Sequence, residues 1–385
     1  MDQTQEPKTF DWRWVLFVVL ALLFGLKLSR TLPEFWWDRL PGPNADRYED
    51  LIFITQGSEA VADGRPAIKE FYYPPACYWF GYVGLRDAHR PVLGTVLAFG
   101  FLLAVLWLAG RMKIGTAGLY LVLLCSPPIS LAIWRGNLDL LIFILLAVAA
   151  FLVSGIHPVR RACGYALILY TSLLKIYPIV SSVAAIREKR NRALLVLAAL
   201  AAPFALYAWL IRENLHTMSA LAPRNPYLSF GSVLLLDRLS AKHPYNGAIA
   251  LGICGVVLAG VGLAVRNRRT ENRLSSPPTW HLDAFRIGAV LYVSCFALIQ
   301  YNFIYRDALL FLTVPQWLSW REESGNSRKL ATTALTLLVL AFWTPRYPWN
   351  WTQLDQVWDW ALFALYGFAL LETAKLASGW QDPQS

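Results

Sequence analysis

Long apolar runs separated by short polar gaps organise this chain. They fall near 14–29, 91–110, 115–133, 138–154, 163–186, 192–211, 246–266, 284–303, 307–320, 330–345 and 357–376. Several reach the roughly 20 residues that an α-helix needs to cross the hydrocarbon of a bilayer. The residue-by-residue alternation of a membrane barrel is missing. Backbone in lipid must satisfy its own hydrogen bonds, so the pattern predicts helices.

The run 163–186 does not read as one span. Arg160 and Arg161 precede it, Arg187 to Arg192 follow it, and Lys175 with Pro178 interrupts its middle. A single crossing would put one basic flank on each side of the membrane. A broken helix pair that enters and returns keeps both flanks together, with its irregular backbone buried in protein or lining a cavity. The segments then alternate. The N-terminus, 111–114, 155–162, 187–191, 267–283, 321–329 and the C-terminus fall on one side. Segments 30–90, 134–137, 212–245, 304–306 and 346–356 fall on the other.

Within 30–90, Trp36 and Trp37 suit the membrane interface, and 50–63 reads as a helix closed by Gly64 and Pro66. The aromatic stretch 71–85 is too short for an easy span and is expected at the interface. No internal repeat or second domain emerges. The fold expected is an all-α polytopic membrane protein, one domain over residues 1–385 with about 10–12 transmembrane helices and a long first extracytoplasmic loop.

Composition sharpens the class. Hydrophobic residues make up 56% of the 385 and charged residues only 16%, with a mean hydropathy of +0.42. Soluble domains carry roughly 25% charged residues, so the balance is that of an integral membrane protein. The net charge of +10 raises nucleic acid as a partner. The basic residues argue against it, because they cluster in gaps between apolar runs: Arg187, Lys189, Arg190 and Arg192, then Arg266, Arg268, Arg269 and Arg273, then Arg321, Arg328 and Lys329. That is the positive-inside pattern of cytoplasmic loops, which places both termini in the cytoplasm and 30–90 outside. The five scattered cysteines show no metal-binding spacing.

Candidate chemistry begins with the carboxylates Asp46, Glu49 and Asp50, directly after the first apolar run. A carboxylate at the water–membrane boundary is suited to take a proton from an attacking hydroxyl. The plainer reading is a solvated loop whose acids pair with Arg47 or Arg65. Three polar groups elsewhere favour a site. Lys175 sits inside "YTSLLKIYPIV", where an ionisable residue marks function by default. Arg306 in "IQYNFIYRDALLFL" falls on a short external turn, and "IWRGNLDLLIF" sets Arg135, Asn137 and Asp139 at the external mouth of a helix pair. Cations facing a carboxylate suit an anionic lipid headgroup, above all phosphate. No Gly-rich phosphate loop, G-x-S-x-G elbow or H-E-x-x-H is present.

The order of these motifs resembles glycosyltransferase family 87, of the C-type glycosyltransferase superfamily. "AVADGRP" follows the first span, then come "FYYPP", "RGNLDLL", "LLKIYP" and "YNFIYRDALLFL", over roughly residues 45–320. Asp50-Leu51 stands where the family has the catalytic Asp of D-L-x-V-Y, although Ile54 replaces the family's Tyr, and Gly136-Asn137-Leu138-Asp139 replaces a frequent G-Q-x-N. The resemblance implies inverting transfer of a hexose, mannose in much of the family. The donor would be a polyprenyl-phosphate sugar and the acceptor a hydroxyl of a glycolipid or lipid-linked glycan. The place would be the extracytoplasmic face of a bacterial cytoplasmic membrane.

In that scheme Asp50, or Asp46 in its place, is the base. Arg306, Lys175 and Arg224 hold the donor phosphate, and Arg135, Asn137, Asp139, Tyr177, Tyr305 and Tyr73 line the sugar and acceptor pocket. No cofactor is called for, since phosphate is a good leaving group without nucleotide or metal. Other classes remain: a secondary transporter, which usually shows paired repeats and midplane sites, or a ligase or polymerase of lipid-linked glycans, whose large external loop is expected late in the chain.

Overall fold

Proline and glycine decide where the apolar runs break, and the breaks carry the polar side chains. In the computed structural model, residues 10–29, 47–66, 73–221, 229–239, 245–267, 274, 279–299, 302–344 and 354–379 are described. Their α-helices are, in order, α1 (Arg13–Leu28), α2 (Glu49–Ala62), α3 (Trp79–Tyr82), α4 (Arg90–Ala109), α5 (Ile114–Leu124), α6 (Pro127–Arg135), α7 (Leu138–Val153), α8 (Pro158–Leu174), α9 (Arg190–Leu210), α10 (Arg212–Leu221), α11 (Ser232–Leu239), α12 (Asn246–Asn267), α13 (Trp280–Leu298), α14 (Val314–Glu322), α15 (Asn326–Trp343) and α16 (Leu354–Gly379). Two 3₁₀ segments, Tyr177–Arg187 and Ile304–Leu312, are far longer than the three or four residues usual for that geometry. Two short 3₁₀ segments, Pro75–Tyr78 and Asp87–His89, and a two-residue antiparallel pair, β1 (Ser229–Phe230) with β2 (Asn302–Phe303), complete the described elements.

The fold is all-α and of membrane type. Among the described residues four helices are long and apolar enough to cross a bilayer: Asp87–Ala109, which includes α4, then α9, α12 and α13. The bent pair α5–α6 makes a fifth if it is one span. The other runs read from the sequence fall on helices that are shorter, broken or less apolar, so among the described residues the expected 10–12 full spans are not reached by length and apolarity alone. α9 and α12 turn apolar side chains outward, among them Leu195, Trp209, Leu210, Val256 and Leu263. Such a surface suits contact with lipid. The core lies between α4, α7, α13, α14, α15 and α16, around Phe101, Phe143, Phe285, Phe311, Trp317 and Trp320.

The run 115–133, expected to be continuous, bends by 61° between α5 and α6. Ser126 is extended there and precedes Pro127 and Pro128. The residue before a proline is driven out of the helical region, and proline itself gives no N–H to continue the ladder.

The run 163–186 turns back on itself. Lys175 adopts an extended conformation (φ −143°, ψ 133°) at the end of α8, and the 3₁₀ segment then returns. Its far end meets the start of α8: Arg161 Nε lies 3.0 Å from Glu188 Oε1, and Tyr165 donates to the same carboxylate at 3.1 Å.

Loops gather at two ends. At one, the backbone N–H of Trp12 donates to Met112 O, His281 Nε2 lies 3.0 Å from Leu108 O, and Arg187 pairs with Asp283. At the other, Tyr48 N donates to Trp134 O, and β1 pairs with β2. The first end holds Arg187 of one basic cluster, and the second carries the site.

Candidate functional site

The N-terminus of α2 is set by an unusual residue. Tyr48 holds a left-handed backbone (φ 63°, ψ 36°), uncommon for anything but glycine. Three contacts over-determine it. Its N–H donates to Trp134 O at 2.8 Å, its hydroxyl lies 2.9 Å from Thr95 Oγ1, and its ring lies where a side chain on Gly94 would stand. Gly136 opposes it, also left-handed (φ 61°), where a Cβ would meet Leu51 and Tyr48. The two turns therefore clasp, and strain held in this way is characteristic of functional sites.

Through that clasp Asp50, in the first turn of α2, reaches the turn between α6 and α7. Asp50 is fully buried. Its Oδ1 accepts from Arg135 Nε (2.9 Å) and from the second guanidinium nitrogen (2.6 Å), and its Oδ2 accepts from Asn137 Nδ2. Arg135 also pairs with Glu49 at 2.9 Å. The solvated-loop reading therefore fails for Asp50. Arg65 pairs with Asp63 instead, and Arg47 donates to Leu28 O.

Asn137 joins this acidic end to a second cluster. Its Oδ1 caps α7 by accepting from Asp139 N at 2.8 Å, and also lies 3.4 Å from Lys175 Nζ. Asp139, fully buried in the first turn of α7, accepts at Oδ1 from Lys175 (2.7 Å) and from the Tyr177 hydroxyl. Its Oδ2 faces Arg306 Nε at 3.7 Å. Lys175 and Tyr177 come from the break after α8, and Arg306 from the segment Ile304–Leu312. Arg306 is correspondingly not on an external turn as expected. Pairing of Asn302 with Phe230 and the 3₁₀ winding that follows carry it inside, where its side chain keeps 17% exposure. Asn302 accepts from its guanidinium, and the Tyr177 ring lies 4.9 Å beneath it.

Of the predicted residues, Asp50, Arg135, Asn137, Asp139, Lys175, Tyr177 and Arg306 thus form one connected network. Tyr73 borders it, with Lys175 Nζ 5.7 Å from its ring. Tyr305 is buried and stacks on Phe303 at 5.1 Å, one residue from Arg306. Asp46 and Arg224 lie outside the described residues. Sequence reasoning missed two members, Tyr48 and Asn302, and named Glu49 without giving it a role. Glu49 was visible in the same acidic cluster, and Asn302 stands four positions before Arg306. Tyr48 carries no sequence signal, because left-handed tyrosine is a property of packing.

The charges divide unevenly. Glu49 and Asp50 against Arg135 leave one negative charge at the α2–α6 end, while Lys175 and Arg306 against Asp139 leave one positive charge at the other. Asn137 stands between them. Such an arrangement can bind an anion at one end and accept a proton at the other. Among the described residues, no group of three or more His, Cys, Asp or Glu side chains is placed to hold a metal ion. No protein-family model, no curated protein and no solved structure matches this chain.

Proposed function

We propose that the protein transfers a hexose from a polyprenyl-phosphate sugar to a hydroxyl of a glycolipid or glycan acceptor, with inversion, at the extracytoplasmic face of the membrane. The observation that carries the reading is the pair of oppositely charged half-sites joined by Asn137. The donor's phosphodiester bears one negative charge and matches the single excess positive charge at Lys175, Arg306 and Asp139. Asp50 stands at the negative half. A carboxylate offers about four acceptor positions. Arg135 fills two on Oδ1 and Asn137 one on Oδ2, which leaves the last, on Oδ2, for an acceptor hydroxyl.

In the reaction the acceptor oxygen attacks the anomeric carbon as its proton passes to Asp50, and the bond from that carbon to the phosphate oxygen breaks. Polyprenyl phosphate leaves with one more negative charge than the diester carried. Fixed cations are worth most where charge develops in a site shielded from water, which is the role of Lys175 and Arg306. The mannose preference of the resembling family makes mannose the first donor to try. The orientation follows from the basic clusters, which belong on the cytoplasmic side.

The test is release of polyprenyl phosphate by purified protein given a panel of polyprenyl-phosphate hexoses and a lipid acceptor extract. Asp50→Asn keeps the shape of the side chain and removes the base, so the rate falls by about 100-fold or more while the protein stays folded. Full activity in that variant would refute the assignment. One observation favours a transporter as the second reading: two irregular segments meet around buried charges, as in discontinuous transporter helices. Solute uptake into proteoliposomes without consumption of lipid-linked sugar would establish it instead.

A further inference from the structure

Two atoms at the centre of the positive half-site are left without hydrogen bonds. Asp139 Oδ2 and Arg306 Nε are both buried, and neither makes a hydrogen bond. They face each other at 3.7 Å, beyond the 2.7–3.2 Å of an N–H···O bond. Neither is free to close the gap. Asp139 is fixed through Oδ1 by Lys175 and Tyr177 and sits one turn-residue after its capped N-terminus. Arg306 is fixed by Asn302 at one nitrogen, and its guanidinium carbon lies 4.9 Å from the centre of the Tyr177 ring. Buried polar atoms in native proteins are nearly always paired, so such a pair marks a place for a missing group.

The chemistry of that group follows from the two atoms. It must accept from an N–H and donate to a carboxylate within one small site. A phosphate oxygen accepts from Arg306 but brings no proton for Asp139 and is repelled by it. An ammonium donates but accepts nothing. A hydroxyl group does both, whether of water or of an alcohol, and a sugar hydroxyl would take the place of such a water. We infer that Asp139 Oδ2 and Arg306 Nε form the subsite for one hydroxyl of the sugar ring, with the phosphate of the donor held on the outer sides of Lys175 and Arg306. The identity of the hydroxyl's owner rests on the hexosyl-transfer reading above; the demand for a hydroxyl does not.

Asp139 then has two roles in one side chain. Oδ1 aligns Lys175 and Tyr177, and Oδ2 reads the sugar. A site built around a buried hydrogen bond rejects a ligand lacking the matching group far more strongly than an apolar pocket rejects a missing methylene.

The test uses the full-length wild-type protein in detergent with two kinds of probe. The first is a series of methyl hexopyranosides and their monodeoxy and deoxyfluoro analogues, followed by saturation-transfer NMR. One position is expected to matter, with its deoxy form bound on the order of 10- to 100-fold more weakly. The deoxyfluoro form fails there as well, because fluorine carries no proton for Asp139. Arg306→Lys, which keeps the charge and removes Nε–H, is expected to flatten the series. Equal binding of all monodeoxy forms to wild type overturns the inference, and this arm needs no variant to fold. The second probe is the polyprenyl-phosphate hexose panel. Position-dependent glycoside binding without any lipid phosphate release refutes hexosyl transfer and supports the hydroxyl subsite. Lipid phosphate release with no positional preference does the opposite.

Discussion

Asn137 joins the two halves of the site, and its removal has a calculable effect. Asn137→Ala deletes the N-cap of α7, the donor to Asp50 Oδ2 and the long contact with Lys175. Loss of a cap costs about 0.5–2 kcal/mol. A buried carboxylate oxygen deprived of its donor adds about 1–3 kcal/mol. The Lys175 contact, at 3.4 Å, adds little, because Lys175 keeps Asp139 at 2.7 Å. The alanine variant should therefore lose about 1.5–5 kcal/mol. Asn137→Ser separates the terms: serine caps as well as asparagine, so only the loss at Asp50 remains, about 1–3 kcal/mol. Equilibrium unfolding in mixed micelles, followed by far-UV circular dichroism, measures both. If alanine and serine unfold at the same point, the cap has no energetic weight. If both lie within about 0.5 kcal/mol of wild type, the range of an ordinary surface change, the link between the half-sites is not structural and the reasoning fails.

Arg306→Ala should raise the donor KM more than the acceptor KM, because the cation is assigned to the phosphate; unchanged donor affinity removes it from the site. Gly81→Ala sets a Cβ 2.0 Å from the backbone oxygen of Ser58. Backbone does not yield cheaply, so α3 should lift from α2 with a loss of about 1–3 kcal/mol, read as a lower unfolding midpoint. Asp11 supplies a pH dependence. Burial alone would raise its carboxyl, but hydrogen bonds from the backbone of Arg13 and Met112 and the Arg13 guanidinium hold it below the ordinary value. A depressed carboxyl stabilises the fold above its unfolded pKa of about 3.9 and loses that contribution as pH falls through the folded value. The difference in midpoint between wild type and Asp11→Asn should be constant near neutrality, shrink as pH falls below about 4, and vanish only below the depressed folded value. A difference that persists there refutes it.

Local chemistry was legible in the sequence. Helix α2, expected over 50–63 and closed by Gly64, spans Glu49–Ala62 with Gly64 at φ 72°. The break at Lys175 followed from basic residues on both flanks, because charge placement constrains topology. The bend at Ser126 had its signal too, in Pro127 and Pro128, but apolarity on both sides of the prolines hid it within one run. Partner choice was not legible. Arg135 was expected in a pocket and turned out to hold Asp50 across 85 positions of chain, and Asp139 turned out to occupy the middle of the cationic cluster. Such pairings depend on how helices pack, which no local pattern encodes. Arg306 was misplaced for the same reason, since β1 lies more than 70 positions before it.

The left-handed tyrosine ahead of α2 makes the spacing to the acid rigid. Each residue advances a helix by about 100°, so a single insertion between Tyr48 and Asp50 swings the carboxylate from Arg135 toward the opposite side of α2. A deletion does the same in the other sense. The interval of two is therefore a ruler: the chain tolerates a change of side chain there more readily than a change of length.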